Sequence, residues 1–315
     1  MLLFKKVNLL ILLAFSVAFV ACSKNKKSKT KCFLSESYSY FPYTINQPSL
    51  TYVLTNNLRE ISGLSFKEGN KLLCVNDEQG YIFEYNIQER KVSKRVKFGK
   101  AGDYEGVELV GEDVFVLRSD GKLMQINDFE NASSETIKIK TGLSAANDTE
   151  GLAYDLTSHS LLIACKRKAG DDPDLAGKRA VYRYSLKDKR LSSTASFLID
   201  QASLKHILKL DAYTRFSKKI LKALAPSKGG STFQPSGIAV HPVTQNIYVI
   251  GSVGKLLLVL NPKGELLAVN RLKRKIFPQP EGICFAPDGS LFISTEGKGA
   301  SAKIYRFKYR PMSEN

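Results

Sequence analysis

Apolar positions along this chain fall into many short runs of four to seven residues, rich in β-branched and aromatic side chains and separated by turn residues. One phrase recurs at the head of these runs: an acidic or hydroxyl residue, a glycine, then an aliphatic residue. It appears as Ser62-Gly63-Leu64, Glu105-Gly106-Val107, Glu150-Gly151-Leu152, Ser236-Gly237-Ile238 and Glu281-Gly282-Ile283. Each phrase is followed by further strand-like runs. These are Leu72 to Asn76, Tyr81 to Asn86 and Val92 to Phe98 after the first, and Val114 to Arg118, Lys122 to Ile126 and Thr136 to Lys140 after the second. The third is followed by Leu161 to Lys166, Val181 to Ser185 and Ala195 to Ile199, and the fourth by Asn246 to Gly251, Leu256 to Asn261 and Leu266 to Leu272. Asp120-Gly121, Pro262-Lys263-Gly264 and Asp288-Gly289 mark turns between them.

The recurring glycines are 43, 45, 86 and 45 residues apart. A fixed period of this size is the signature of four-stranded propeller blades. The fifth repeat holds only Gly282 to Ala286, Leu291 to Thr295 and Lys303 to Tyr309, one strand short of a blade, while an orphan strand, Leu50 to Thr55, precedes the first repeat. An open ring would leave pairing edges bare, so the orphan strand is expected to complete the last blade. The pattern therefore predicts an all-β, five-bladed β-propeller. A six-bladed ring is the alternative, its extra blade hidden in the 86-residue interval. Against it, residues 200–225 have a helical period: Leu204, Ile207, Leu208, Phe216, Ile220, Leu221 and Leu224 lie opposite Lys205, Lys209, Lys218 and Lys222. Pro226 and Gly229-Gly230 would end that helix. Residues 200–230 thus read as an insertion that packs on the ring, in preference to a basic helix lying on a membrane.

The N-terminus sets the compartment. Lys5 and Lys6 precede an apolar run from Val7 to Ala21, too short for a comfortable membrane span and laid out like a secretory signal. Cys22 follows directly. Phe19-Val20-Ala21-Cys22 resembles the bacterial lipoprotein signal, which implies a diacylglyceryl group on Cys22; an ordinary secretory signal with an incidental cysteine is the alternative. Residues 23–31, SKNKKSKTK, carry five lysines and no apolar side chain, so they read as a flexible tether able to meet anionic headgroups. The expected organisation is a signal over 1–21, a lipidated and Lys-rich tether over 22–45, and the propeller over 46–310. The body would then lie outside the cytoplasm on the bacterial cell envelope, anchored to a membrane through lipid.

The net charge of +17 suits an anionic small ligand, an acidic glycan or a membrane surface. Nucleic acid is excluded by the export signal and by basic residues that are spread along the chain rather than clustered. Beyond Cys22 stand Cys32, Cys74, Cys165 and Cys284, without CxxC spacing; the last three sit in apolar runs and read as small buried hydrophobes, although an oxidising compartment permits a disulfide. With three histidines and no GxSxG, P-loop or GxGxxG motif, Ser-His-Asp hydrolysis and nucleotide chemistry lack their parts.

Candidate chemistry lies instead beside the repeat glycines. Inner strands line the central channel of such a ring, so Glu105, Glu150 and Glu281 should meet around one axis, near Glu60, Asp77 and Asp148 and also Asp103, Glu108, Glu78 and Glu296. Oxygen ligands from several blades could hold Ca²⁺ as a cofactor. Alternatively each Glu hydrogen-bonds neighbouring strand amides and serves only the blade junction.

Together these segments resemble the SdiA-regulated family, whose bacterial members include the YjiK type. The resemblance spans residues 50–309 through LREISGLSF, VNDEQGYIFEYN, GDYEGVELVGEDVFVLRSDGKLMQI, NDTEGLAYD, PSGIAVHP and PEGICFAPDGSLFISTEG. It implies a β-propeller in the envelope, loosely related to calcium-dependent and phytase-like propellers. Two function classes follow. One is a binding protein that holds a ligand or calcium at the channel rim. The other is a calcium-dependent phosphoester hydrolase, which needs a basic cluster such as Arg118 and Lys166 opposite the acids.

Overall fold

The computed structural model describes residues 32–35, 38, 40–131, 135–215 and 232–312. Two strands precede the first repeat: β1 (Cys32–Leu34) and β2 (Leu50–Val53). Blade one then comprises β3 (Ile61–Lys67), β4 (Lys71–Asn76), β5 (Tyr81–Asn86) and β6 (Lys91–Lys97). Blade two comprises β7 (Tyr104–Val110), β8 (Asp113–Arg118), β9 (Lys122–Ile126) and β10 (Thr136–Lys140). Blade three holds β11 (Thr149–Asp155), β12 (Ser160–Cys165) and β13 (Lys178–Ser185), with an outer strand broken into β14 (Arg190–Leu191) and β15 (Phe197–Asp200). Helix α1 (Gln201–Arg215) follows. Blade four is β16 (Gln234–Val240), β17 (Ile247–Val253), β18 (Leu256–Leu260) and β19 (Leu266–Arg271). Blade five is β20 (Gln279–Phe285), β21 (Leu291–Glu296) and β22 (Lys303–Phe307).

Five antiparallel sheets make a five-bladed ring, and the six-bladed alternative falls. The 86-residue interval holds one blade and the insertion. Ring closure is as the strand count predicts: β2 pairs with β22, Leu50 opposite Arg306 and Val53 opposite Lys303. Tyr52 on this strand is buried edge-on against Tyr85 of blade one, so the closing strand also ties the last blade to the first.

Position in the blade explains the apolar pattern. Both faces of a blade pack on neighbours, so β12 and β18 are buried at every residue and read as unbroken apolar runs. Outer β6 alternates between exposed and half-buried positions and carries four basic residues, Lys91, Lys94, Arg95 and Lys97, which guard its free edge. Inner strands crowd at the glycines. A Cβ on Gly237 would lie 2.3 Å from the Glu281 carbonyl oxygen, and one on Gly282 would lie 2.7 Å from Leu64 Cβ. The repeat glycine is thus a requirement of blade-to-blade contact.

One departure from the sequence reading concerns a boundary. Residues 22–45 are not tether throughout: β1 adds a fifth strand to the outer edge of blade four, and Tyr43 and Ile45 are buried against Tyr248, Ile283 and Phe307. The lysine run over 23–31, which lies outside the described residues, masks a modest apolar alternation at Phe41, Tyr43 and Ile45. The insertion is helical over Gln201–Arg215, with Leu204 buried beside Phe197, Ile199 and Phe233 and with Ile207 and Leu208 packed on that cluster. The Gln201 side chain donates to the Phe233 carbonyl at 2.7 Å and accepts from the Phe233 N–H at 2.8 Å, which pins the neck of the insertion. The helical expectation for Phe216 to Leu224, with its stop at Pro226 and Gly229-Gly230, lies outside the described residues. So does Cys22.

Cys74, Cys165 and Cys284 are free thiols buried in the apolar interior, as small hydrophobes would be. No helix among the described residues is long and apolar enough to cross a membrane.

Candidate functional site

Each inner strand enters the ring beside the loop that joins its blade's second and third strands. The Asp77 N–H donates to the Glu60 carbonyl (3.3 Å), Ser119 to Asp103 (2.9 Å) and Lys166 to Asp148 (2.7 Å). Neighbouring blades are stitched at the same level: Tyr104 N–H donates to Asp77 O (3.3 Å) and Thr149 N–H to Ser119 O (2.9 Å). These bonds gather the strand-entry residues of several blades at one mouth of the channel. Below them, between the inner strands, remains a cavity of only about 10 Å³, lined by all five repeat phrases. That is room for about one water molecule. A ligand must therefore sit at the mouth and not in the channel.

Glu105, Glu150 and Glu281 do meet there. Burial raises all three carboxyls. Glu105 is pushed up to about 10 by burial first, then by Glu150, Asp103 and Glu281. Glu281, with 6% of its surface exposed, rises well above the usual carboxylate range through burial, Glu150 and Glu296. Glu150 reaches only about 7, because the Lys166 ammonium forms an ion pair with it and offsets its burial. Among the described residues, none of the three accepts a hydrogen bond from a strand amide; Glu105 faces the Asp103 side chain and Glu281 the Gln279 side chain. In the two blades without a Glu, the hydroxyls serve the backbone: Ser236 Oγ donates to Pro280 O at 2.7 Å and Ser62 Oγ to Glu60 O at 3.4 Å.

A second group of acids forms an arc beside this ring. Burial and the nearby Glu60, Glu78 and Asp103 lift Asp77 to about 6. Burial, Asp77 and Glu60 lift Glu296 to about 7, against the pull of Lys298. Asp77 Oδ1 is buried and has no hydrogen-bond partner among the described residues. Asp148 is satisfied differently, by Arg167 Nε at 2.9 Å. The sequence reading missed one member of the mouth, Lys255. It follows Gly254 in the turn between β17 and β18, donates to the Ser252 carbonyl at 2.6 Å, and is lowered to about 8 by burial and by Lys298, against the pull of Glu281.

The mouth thus holds the expected ligand types, but among the described residues no group of three or more His, Cys, Asp or Glu is placed to hold a metal ion. The cationic place beside Glu150 is taken by Lys166. Nor do Arg118 and Lys166 form a free basic cluster facing the acids. Arg118 clamps Asp120, its Nε 2.8 Å from Oδ1, and Lys166 is bound to Glu150. Phosphate would have to displace both pairs.

Fold and site together define a class: a five-bladed β-propeller whose channel is closed and whose titratable groups gather at one mouth. The chain belongs to the SdiA-regulated family, whose sequence model matches residues 40–195. No curated protein matches it in sequence. Among solved structures it is similar to the glutaminyl cyclase of Myxococcus xanthus, at 12% identity and a TM-score of 0.54, covering 85% of this chain and 97% of that one. It is also similar to a protein of unknown function from Bacteroides thetaiotaomicron, at 10% identity and a TM-score of 0.47, covering 89% and 76%. At such identity the first likeness speaks for the fold alone.

Proposed function

We propose that this protein is a lipid-anchored envelope protein that acts by binding, and that its acidic mouth takes a small organic cation. The observation that carries this reading is Asp77 Oδ1, a buried carboxylate oxygen without a partner among the described residues, beside the like charges of Glu60, Glu78 and Asp103. An ammonium group placed there would supply the missing donor and relieve the repulsion among Glu60, Asp77 and Glu296. Lys166 on Glu150 already illustrates the pairing that the mouth accepts. Calcium is the second reading; the number of carboxylates favours it and their spacing does not.

Thermal melts at pH 7.5 separate the two. Millimolar putrescine or choline should raise the Tm by a few degrees through selective binding to the folded state, roughly the effect expected at a hundredfold excess over Kd. Asp77→Asn should remove the rise, while the fold stays intact. Ca²⁺ raising the Tm where the amines do not, with loss of the effect in the triple change Glu105→Gln, Glu150→Gln, Glu281→Gln, would transfer the site to calcium.

The anchor rests on the apolar run from Val7 to Ala21 and on the Cys22 that follows it. Cys22→Ser should move the protein from the membrane fraction to the soluble fraction, because a signal segment without lipid leaves no anchor. A wild-type protein that takes up no palmitate analogue in metabolic labelling would overturn this part of the proposal.

A further inference from the structure

The charge that looks dispersed in sequence is concentrated by the fold. A groove of about 710 Å³ runs between blades one and two, lined by Lys97 and Lys100 from one side and by Arg118, Lys122 and Lys138 from the other. Its size is that of an ordinary small-ligand pocket. The floor is apolar: Phe98 and Tyr104, edge to face at 4.8 Å, with Met124 beside them. The floor is also held in place, since the Tyr104 hydroxyl donates to the Lys100 carbonyl at 2.9 Å. The lining residues include no carboxylate. The nearby Asp120 engages Arg118 and Lys122, with Lys122 Nζ 2.8 Å from Oδ2. Lys97, Lys100 and Lys138 are exposed and enter no ion pair among the described residues.

We infer that this groove binds an acidic oligosaccharide, sugar rings bearing sulfate or carboxylate groups. Three arguments select that chemistry. The free cations are lysines, compact point charges set along both walls, which suit negative charges distributed along a chain. The single arginine, whose fork would favour a bidentate phosphate, is spent on Asp120. The site is concave, its floor closed by the buried Phe98, Tyr104 and Met124, so sugar rings have room between the charged walls, whereas a flat bilayer would reach only the rims. The groove is distinct from the acidic mouth, and its occupancy does not depend on the mouth's ligand.

The test is fluorescence anisotropy with a labelled, sulfated heparin hexasaccharide and the purified protein at 50 to 150 mM salt. Binding that weakens as salt rises is expected. Lys97→Gln/Lys100→Gln/Lys138→Gln should weaken it by about tenfold or more, since three favourable charges are lost. Lys187→Gln/Lys263→Gln/Lys308→Gln, three exposed lysines that line neither the groove nor the cleft beside Lys138, should leave it nearly unchanged. Circular dichroism melts should match the wild type for both variants. Equal loss in the two triple variants would overturn the groove assignment, because net charge alone would then explain binding. Absence of binding by the wild type would overturn it outright. Full competition by equimolar pyrophosphate would replace the sugar with phosphate. Capture by phosphatidylglycerol vesicles, without binding of the hexasaccharide, would replace it with a membrane surface.

Discussion

Protein that starts at Asn56, and so lacks β2, should lose its sharp thermal transition or melt about 10–20 °C below a form that starts at residue 36. The shorter form leaves β22 as an open edge and removes Tyr52 and Leu54, both buried, from the junction of blades five and one. Burial of two such side chains stabilises by about 3–6 kcal/mol, before the hydrogen bonds of the β2–β22 ladder are added. It also removes Tyr43, whose hydroxyl donates to the Gly289 carbonyl at 2.6 Å, and Ile45. The form that starts at residue 36 loses only β1, a fifth strand on an already complete blade four. It should melt within a few degrees of a form that keeps β1. Equal melting of the Asn56 and residue-36 forms would show that the ring does not depend on its closing strand.

Stability should fall as pH rises from 5 to 8, by about 10 °C in Tm, an unusual direction for an ordinary carboxylate-rich surface. In the folded protein Glu105 is raised to about 10, Glu150 and Glu296 to about 7, and Asp77 to about 6, while burial raises Glu281 well above the usual carboxylate range. A carboxyl with a raised folded pKa binds a proton that the unfolded chain has already released. Its stabilisation is therefore complete below the unfolded value near 4.5 and is lost as pH climbs through the folded value. Groups with lowered values act at the other end. Glu84, held by Lys67, Lys71 and Ser93 against its burial, and Asp155, held by Thr157, Arg183 and Ser158, both fall to about 2. Their contribution is present above the unfolded value and is lost in acid. Lys255, lowered to about 8, opposes the decline only in alkali. Maximum stability is thus expected near pH 5. Glu105→Gln/Glu281→Gln, which mimics the protonated pair, should flatten the slope and raise the Tm at pH 8. A Tm that is level or rising between pH 5 and 8 in the wild type would show that the mouth carboxyls are solvated and ionised.

The architecture was legible because its determinants are local and repeated. Gly63, Gly106, Gly151, Gly237 and Gly282 stand where inner strands approach too closely for a side chain, so spacing alone exposed the blades. The missing fifth-blade strand pointed to Leu50–Val53 for the same reason: an edge needs a partner. The start of the folded region was hidden, because Tyr43 and Ile45 are buried by partners such as Tyr248 and Ile283, far away in sequence. The ring glutamates were legible through their fixed place beside the repeat glycine. Lys255 was not, since its position depends on how one turn of blade four leans toward Glu281. The basic groove was equally hidden: Lys122 and Lys138 lie on paired strands of blade two, and only the packing of blade one beside it brings Lys97 and Lys100 to them.

Central to this account is a mouth in which burial keeps protons on Glu105 and Glu281 at neutral pH, and in which the proposed cation would draw the remaining carboxyls to their ionised form. Infrared difference spectroscopy on protein labelled with ¹³C at glutamate and aspartate carboxyls tests this most directly. At pH 7 the wild type should show a protonated-carboxyl band, diminished in Glu105→Gln/Glu281→Gln and converted in part to carboxylate when putrescine is added. A spectrum at pH 7 with carboxylate bands alone, unchanged by those substitutions or by the amine, would contradict it.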